Sequence, residues 1–160
     1  MNRLYGAEEV GRQQKRLTAV FDLIDRTDVD SETRAHFARY LSVRLAGFAE
    51  QSLKDLVSNH ARTRSSGTVH RFVEERMRKL WGINQSKLKD TLDALNPEWW
   101  VELQAKLPNE IEALNSVGRL RDNISHGGDA GIGMSQIVEY RDSVYRLISH
   151  LCELIDPKKD

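Results

Sequence analysis

The chain lacks most of the fastenings a protein can use in place of a core. Its 160 residues include one cysteine, Cys152, so no disulfide can form within the chain. That suits a reducing compartment. No apolar run is long enough to span a membrane. The N-terminal stretch "MNRLYGAEEVGRQQKR" has none of the apolar character of a secretory signal. Neither sign of charge dominates: 24 Lys and Arg face 24 Asp and Glu. Net charge therefore offers no bulk attraction for nucleic acid, and only local patches count. Strand-type alternation is missing, and β-branched residues are scattered rather than clustered. These absences predict a cytoplasmic, membrane-free, all-α protein. The length fits a single domain over residues 1–160 that folds on its own core.

Helical periodicity runs through almost every segment. The first helix is expected from Glu8 to about Asp25, with Val10, Leu17, Val20, Phe21 and Ile24 on its apolar side. After "RTDVDSE", Asp30 or Ser31 can cap a second helix from about Glu32 to His60. Its stripe of Phe37, Leu41, Leu45, Phe48, Leu53, Leu56 and Val57 predicts a place at the centre of the core. A third helix over 68–81 carries Val69, Phe72, Val73, Met77, Leu80 and Trp81. "GINQSKLKDTLDALNPEWW" reads as short helices joined by turns, with Pro97 and Pro108 each suited to a first helical turn. The helix after Pro108 carries Ile111, Leu114, Val117, Leu120 and Ile124 and stops near Gly127 and Gly128. "GGDAGIG" then reads as a flexible connection to a last helix with Ile137, Tyr140, Val144, Leu147, Ile148, Leu151, Leu154 and Ile155. The expected architecture is a bundle of four main helices with short extra helices.

Several chemical motifs fail on inspection. "GGDAGIG" has neither the lysine and hydroxyl of a P-loop nor a preceding strand. "DVDSE" begins like a calcium loop, but Thr33 stands at the glycine position and Arg39 at the last acid, so a turn with a cap explains it better. The five histidines include no HExxH pair, and Cys152 has no cysteine partner, so no metal or other cofactor is expected. Trp99 and Trp100 could stack on bases, yet a helix start more often uses such residues as core anchors. Residues 62–79 hold six Lys and Arg against Glu74 and Glu75, either a solvated face or a patch that tracks phosphates.

"RLRDNISHGG", residues 119–128, places Arg121 and His126 five residues apart. Metal-free RNA cleavage needs a base for the ribose 2′-hydroxyl, a cation for the charge at phosphorus and an acid for the leaving 5′-oxygen. Histidine titrates near neutrality and suits the first and last roles; arginine is permanently cationic and suits the second. Five residues of ideal helix turn through about 140° and rise about 7.5 Å, so the two side chains do not share one tight face of a straight helix. They can converge where the helix unwinds before Gly127, or with their copies across a two-fold axis. A plainer reading also holds: a histidine near a helix C-terminus is electrostatically favoured, and Arg121 with Asp122 would be surface ions.

The segment "RDNISHGG" followed by "GIGMSQIVEYRDSVYRLISHL" resembles the C-terminal signature of HEPN domains, more narrowly the RiboL-PSP type. "VRLAGFAEQSLKDLV", residues 43–57, is similar to that family's long second helix, and the resemblance covers about residues 30–155. It implies a helical bundle that forms a homodimer through its motif-bearing helices. It also implies a metal-independent endoribonuclease leaving 2′,3′-cyclic phosphate and 5′-hydroxyl ends, often paired with an antitoxin or another defence-system partner. Arg121 and His126 would be the catalytic pair and Asp122 the polar residue that supports them. Asn123, Arg119 and Ser125 are further candidates for contact with RNA. Many members read arginine–asparagine before an alanine–histidine. Asp122 and Ser125 depart from that, and the acid would weaken nonspecific RNA affinity. Some HEPN domains have lost catalysis and serve as dimerisation or nucleotide- or RNA-binding modules, which is the alternative reading.

Overall fold

The computed structural model describes residues 3–158. Seven helices fill them: α1 (Gly6–Arg26), α2 (Ser31–Arg64), α3 (Gly67–Arg78), α4 (Gln85–Leu95), α5 (Pro97–Lys106), α6 (Pro108–Ser125) and α7 (Met134–Ile155). The four long ones, α1, α2, α6 and α7, match the expected main helices, and α3, α4 and α5 are the short additions. Among the described residues there is no strand, and no helix is long and apolar enough to cross a membrane.

Helix α2 is the axis of the bundle. At 34 residues it reaches past its expected end at His60, and it packs against α1, α3, α6 and α7. Its neighbours cover it on several sides, so Ala38, Leu41, Leu45, Leu53 and Leu56 lose all contact with solvent. Each buried leucine contributes about 1.5–3 kcal/mol of transfer free energy relative to an exposed one. Opposite it, α7 presents Ile137, Val144, Leu147, Ile148, Leu151 and Ile155 to the same core.

Local chemistry sets the helix boundaries. Asp30 caps α2 by accepting the Thr33 amide proton at 2.8 Å, and that hydrogen bond lowers its carboxyl pKa. This is the cap the sequence predicts for "DVDSE". Asn84 caps α4 through the Lys87 amide at 2.9 Å, and Asn96 caps α5 through the Glu98 amide at 3.1 Å. Pro97 and Pro108 open α5 and α6, where a missing N–H does no harm. Trp100 is buried, and the half-buried Trp99 meets His60 edge-on with ring centroids 5.4 Å apart, so this pair anchors the core.

Two expectations need correcting. The third helix ends at Arg78, and none of its residues is buried. Val69, Phe72 and, beyond the helix, Trp81 face solvent, because α3 packs chiefly on α2, with Val73, Met77 and Leu80 against the core. The "GGDAGIG" segment is anchored rather than flexible: Ala130 and Ile132 are buried, and Arg39 grips the Asp129 carboxylate and, at 3.4 Å, the Ala130 carbonyl.

Candidate functional site

The end of α6 is built by a glycine stop. His126 is the capping residue, with φ −93° and ψ 13°, and its amide donates to the Asp122 carbonyl at 3.1 Å. Gly127 follows in the left-handed region at φ +77°, a conformation that a side chain would strain. Its amide donates to Ile124 at 3.1 Å, and that of Gly128 donates back to Asn123 at 2.8 Å. These paired bonds satisfy carbonyls the helix would otherwise leave open. The imidazole of His126 therefore leaves the chain just where the helix unwinds, and it is exposed.

Arg121 sits in a different setting. Its side chain retains 31% of its exposure and lies against the turn between α3 and α4. This close approach depends on Gly118, one turn earlier on α6, where a Cβ would stand 2.2 Å from the Ile83 carbonyl oxygen. Only a bare backbone lets α6 and the turn meet. Nη1 of Arg121 lies 3.3 Å from the point a Cβ on Gly82 would occupy, and Nζ of Lys87 lies 3.4 Å from the same point. On the solvent side, Nη1 donates to the Asp122 carboxylate at 3.4 Å, a long and weak contact.

The six candidate residues thus divide between faces. Arg121 and Asp122 are in contact; Arg121 and His126 share the end of α6 without a hydrogen bond to each other. Arg119 and Asn123 point elsewhere, into a shallow groove of about 440 Å³ shared with Ala130, Ile132, Gln136 and Tyr140. Arg119 pairs with Glu112 at 3.1 Å, and the Asn123 amide packs where a Cβ on Gly128 would be. Ser125 is exposed at the last helical position. The structure therefore brings neither Arg119 nor Asn123 beside Arg121.

The basic stretch is also divided. Arg62 lies over the Tyr5 ring, 4.1 Å from its centroid, and donates to Asn59; Arg78 pairs with Glu75 at 2.5 Å. Arg71, Arg76 and Lys79 remain exposed.

A cleft of about 670 Å³ lies at the α1–α2 crossing and includes neither Arg121 nor His126. Its polar groups are engaged with one another: Glu9 with Arg12 and Gln13, and Asp55 with Gln13 and Gln51. Volume and chemistry part company here. Chemistry carries more weight, because a group already paired has little left to offer a reacting molecule. No cluster of three or more His, Cys, Asp or Glu with metal-binding geometry occurs among the described residues.

Two residues that periodicity did not mark, Gly82 and Lys87, lie beside Arg121, and Glu50 and Trp81 are joined to them by hydrogen bonds. The sequence signal was slight, a glycine directly after the last apolar residue of the third stripe.

Comparison with known proteins gives one family. The RiboL-PSP-HEPN family model matches residues 9–156, which adds α1 to the span of about 30–155 suggested by the motifs. No curated protein and no solved structure gives a significant match.

Proposed function

Because the chain belongs to the RiboL-PSP-HEPN family, we propose that it is a metal-independent endoribonuclease that works as a homodimer. The supporting observation is the end of α6. A half-buried arginine is held by packing, and an exposed histidine stands where the same helix unwinds. His126 takes the proton from a ribose 2′-hydroxyl. The freed oxygen attacks the adjacent phosphorus, and the bond to the 5′-oxygen breaks. Arg121 offsets the negative charge that builds on the phosphoryl oxygens. The matching histidine of a second copy protonates the departing oxygen, because one chain has one such residue. The ends are a 2′,3′-cyclic phosphate and a 5′-hydroxyl. Single-stranded or looped RNA is the substrate, since a duplex prevents in-line alignment of the 2′-oxygen. The motif-bearing helices form the dimer contact, and the setting is toxin–antitoxin or antiphage defence with a cognate protein partner.

Asp122 favours a second reading. Its carboxylate touches Arg121 and competes with phosphate for the guanidinium. A chain in which that contact persists would be an inactive module for dimerisation or for binding RNA or nucleotides.

One experiment separates the two. The protein and its His126→Ala variant are incubated with a mixed RNA pool, with and without EDTA, and the cut ends are mapped. The nuclease reading expects chelator-resistant cleavage with cyclic-phosphate ends, abolished by the substitution. Full activity in a folded His126→Ala protein would sink the mechanism. RNA binding without cutting would favour the module.

A further inference from the structure

The turn between α3 and α4 leaves an indole in solvent. Trp81 is 72% exposed, more than any other large apolar residue among those described. Yet its backbone is firmly held. The Trp81 carbonyl accepts a hydrogen bond from Lys87 Nζ, and the next amide, that of Gly82, donates to Glu50 Oε2 at 2.8 Å. Glu50 is held in turn, its other oxygen 2.8 Å from Lys54 Nζ. That same ammonium lies 5.9 Å from the indole centroid, within range of a cation–π attraction. On the far side of Gly82 stand Lys87 and Arg121. One turn therefore presents an open aromatic face with three cations around it. Of the two acids beside them, Glu50 has both oxygens engaged, and Asp122 makes only a long contact of 3.4 Å with Arg121.

From this arrangement we propose that Trp81 and Lys87 form a nucleotide subsite beside Arg121, in which a base of single-stranded RNA stacks on the indole and a neighbouring phosphate takes the Lys87 ammonium. The inference rests on the RNA reading above and says where the strand lies. The two backbone hydrogen bonds fix where the Trp81 main chain sits, so the indole projects from a held turn and offers a face on which a base can stack. An ammonium has three donors, so Lys87 can keep the Trp81 carbonyl and still reach phosphate. The occupant follows from charge and shape together: a polyanion with flat bases suits both the cations and the open indole.

The test uses the full chain and a mixed-sequence hexanucleotide carrying 2′-O-methyl groups, which cannot be cut by 2′-oxygen attack. Binding is followed by tryptophan fluorescence and by anisotropy of a labelled oligonucleotide. The subsite expects quenching in the parent protein that disappears in Trp81→Phe, since Trp99 and Trp100 stay in the core. It also expects an affinity loss of about tenfold in Trp81→Ala and in Lys87→Gln, the scale of one lost stack or phosphate contact. Parent-like affinity in both variants overturns it, as does an unquenched parent. A Trp81→Ala protein that binds normally but changes from dimer to monomer on sedimentation also overturns it, assigning the indole to a protein contact. The two readings fail differently. If His126-dependent cleavage persists while Trp81 and Lys87 prove irrelevant, only the subsite falls. If the parent neither cuts nor binds RNA, both fall.

Discussion

Helix α7 buries Ile137, Val144, Leu147, Ile148, Leu151 and Ile155, whereas α3, with an equally regular apolar stripe, buries nothing and leaves Val69 and Phe72 in solvent. The sequences of the two helices give little hint of this. Their neighbours decide it. α7 packs on α1, α2 and α6, and α3 packs chiefly on α2. A stripe therefore reports which side of a helix is apolar; whether anything covers that side depends on elements far away in the chain. The contrast bears on function, because the uncovered helix leads directly into the Trp81 turn that touches Arg121.

The sharpest way to break this comparison is to truncate one residue on each helix. Leu147→Ala is expected to destabilise the protein by about 2–5 kcal/mol, as for a fully buried leucine. Phe72→Ala should change stability by no more than about 0.5 kcal/mol. Urea unfolding of both variants checks this. Comparable losses would mean that α3 is covered in the folded protein after all.

A second test addresses what holds Arg121 in place. Replacing glycine by alanine inside a helix ordinarily stabilises by about 0.5–1 kcal/mol. Gly47 in α2 has nothing within 4 Å of an added Cβ and should follow that rule, whereas Gly118 would drive a methyl to 2.2 Å from the Ile83 carbonyl. Gly118→Ala is therefore expected to reverse the sign and cost about 1–3 kcal/mol. Thermal melts of the two variants side by side would show it; equal gains would mean that α6 and the turn are not in close contact.

Next is a pH effect at the α1–α2 crossing. Burial raises the Asp55 carboxyl above the ordinary aspartate range, partly offset by hydrogen bonds from Gln51 and Gln13. In the window between its ordinary and raised values the folded protein binds more proton than the unfolded chain. Stability attributable to this group is present below the window and is lost as pH rises through it. Asp55→Asn should flatten that part of the stability–pH curve, measured by urea midpoints across mildly acidic pH. An unchanged slope would put the effect elsewhere.

The smallest effect concerns reactivity alone. Cys152 on α7 is half-buried, and burial pushes its thiol up to about 11. Alkylation by iodoacetamide near pH 8 should be more than about tenfold slower in the native protein than after denaturation, because little thiolate is present. Equal rates would show that the α7 seam opens readily.

Much of this molecule was legible from residue order. The stripes of α1, α2, α6 and α7 predicted the four long helices, since a 3.6-residue period is a local property. Asp30 and the two helix-opening prolines marked boundaries because capping is satisfied within a few residues. The motif at Arg121 and His126 was legible too, being contiguous. What surrounds it was not. Glu50, Trp81 and Lys87 come from three separate segments, and Trp81 read as part of a buried stripe. Arg119 and Asn123 look adjacent to Arg121 in sequence, yet helical rotation carries them to another groove.

By itself, then, the sequence determined an all-α chain, its main helices and caps, its family, and the glycine stop that puts His126 at the end of α6. Each of these follows from short-range hydrogen bonding, side-chain period or a contiguous motif. The tertiary structure alone decided that α3 keeps an open face, that "GGDAGIG" is tied down by Arg39, and that Arg121 lies against Gly82 beside Lys87. Those are contacts between segments tens of residues apart. They form only where whole helices pack closely enough, as at Gly118, for their backbones to touch.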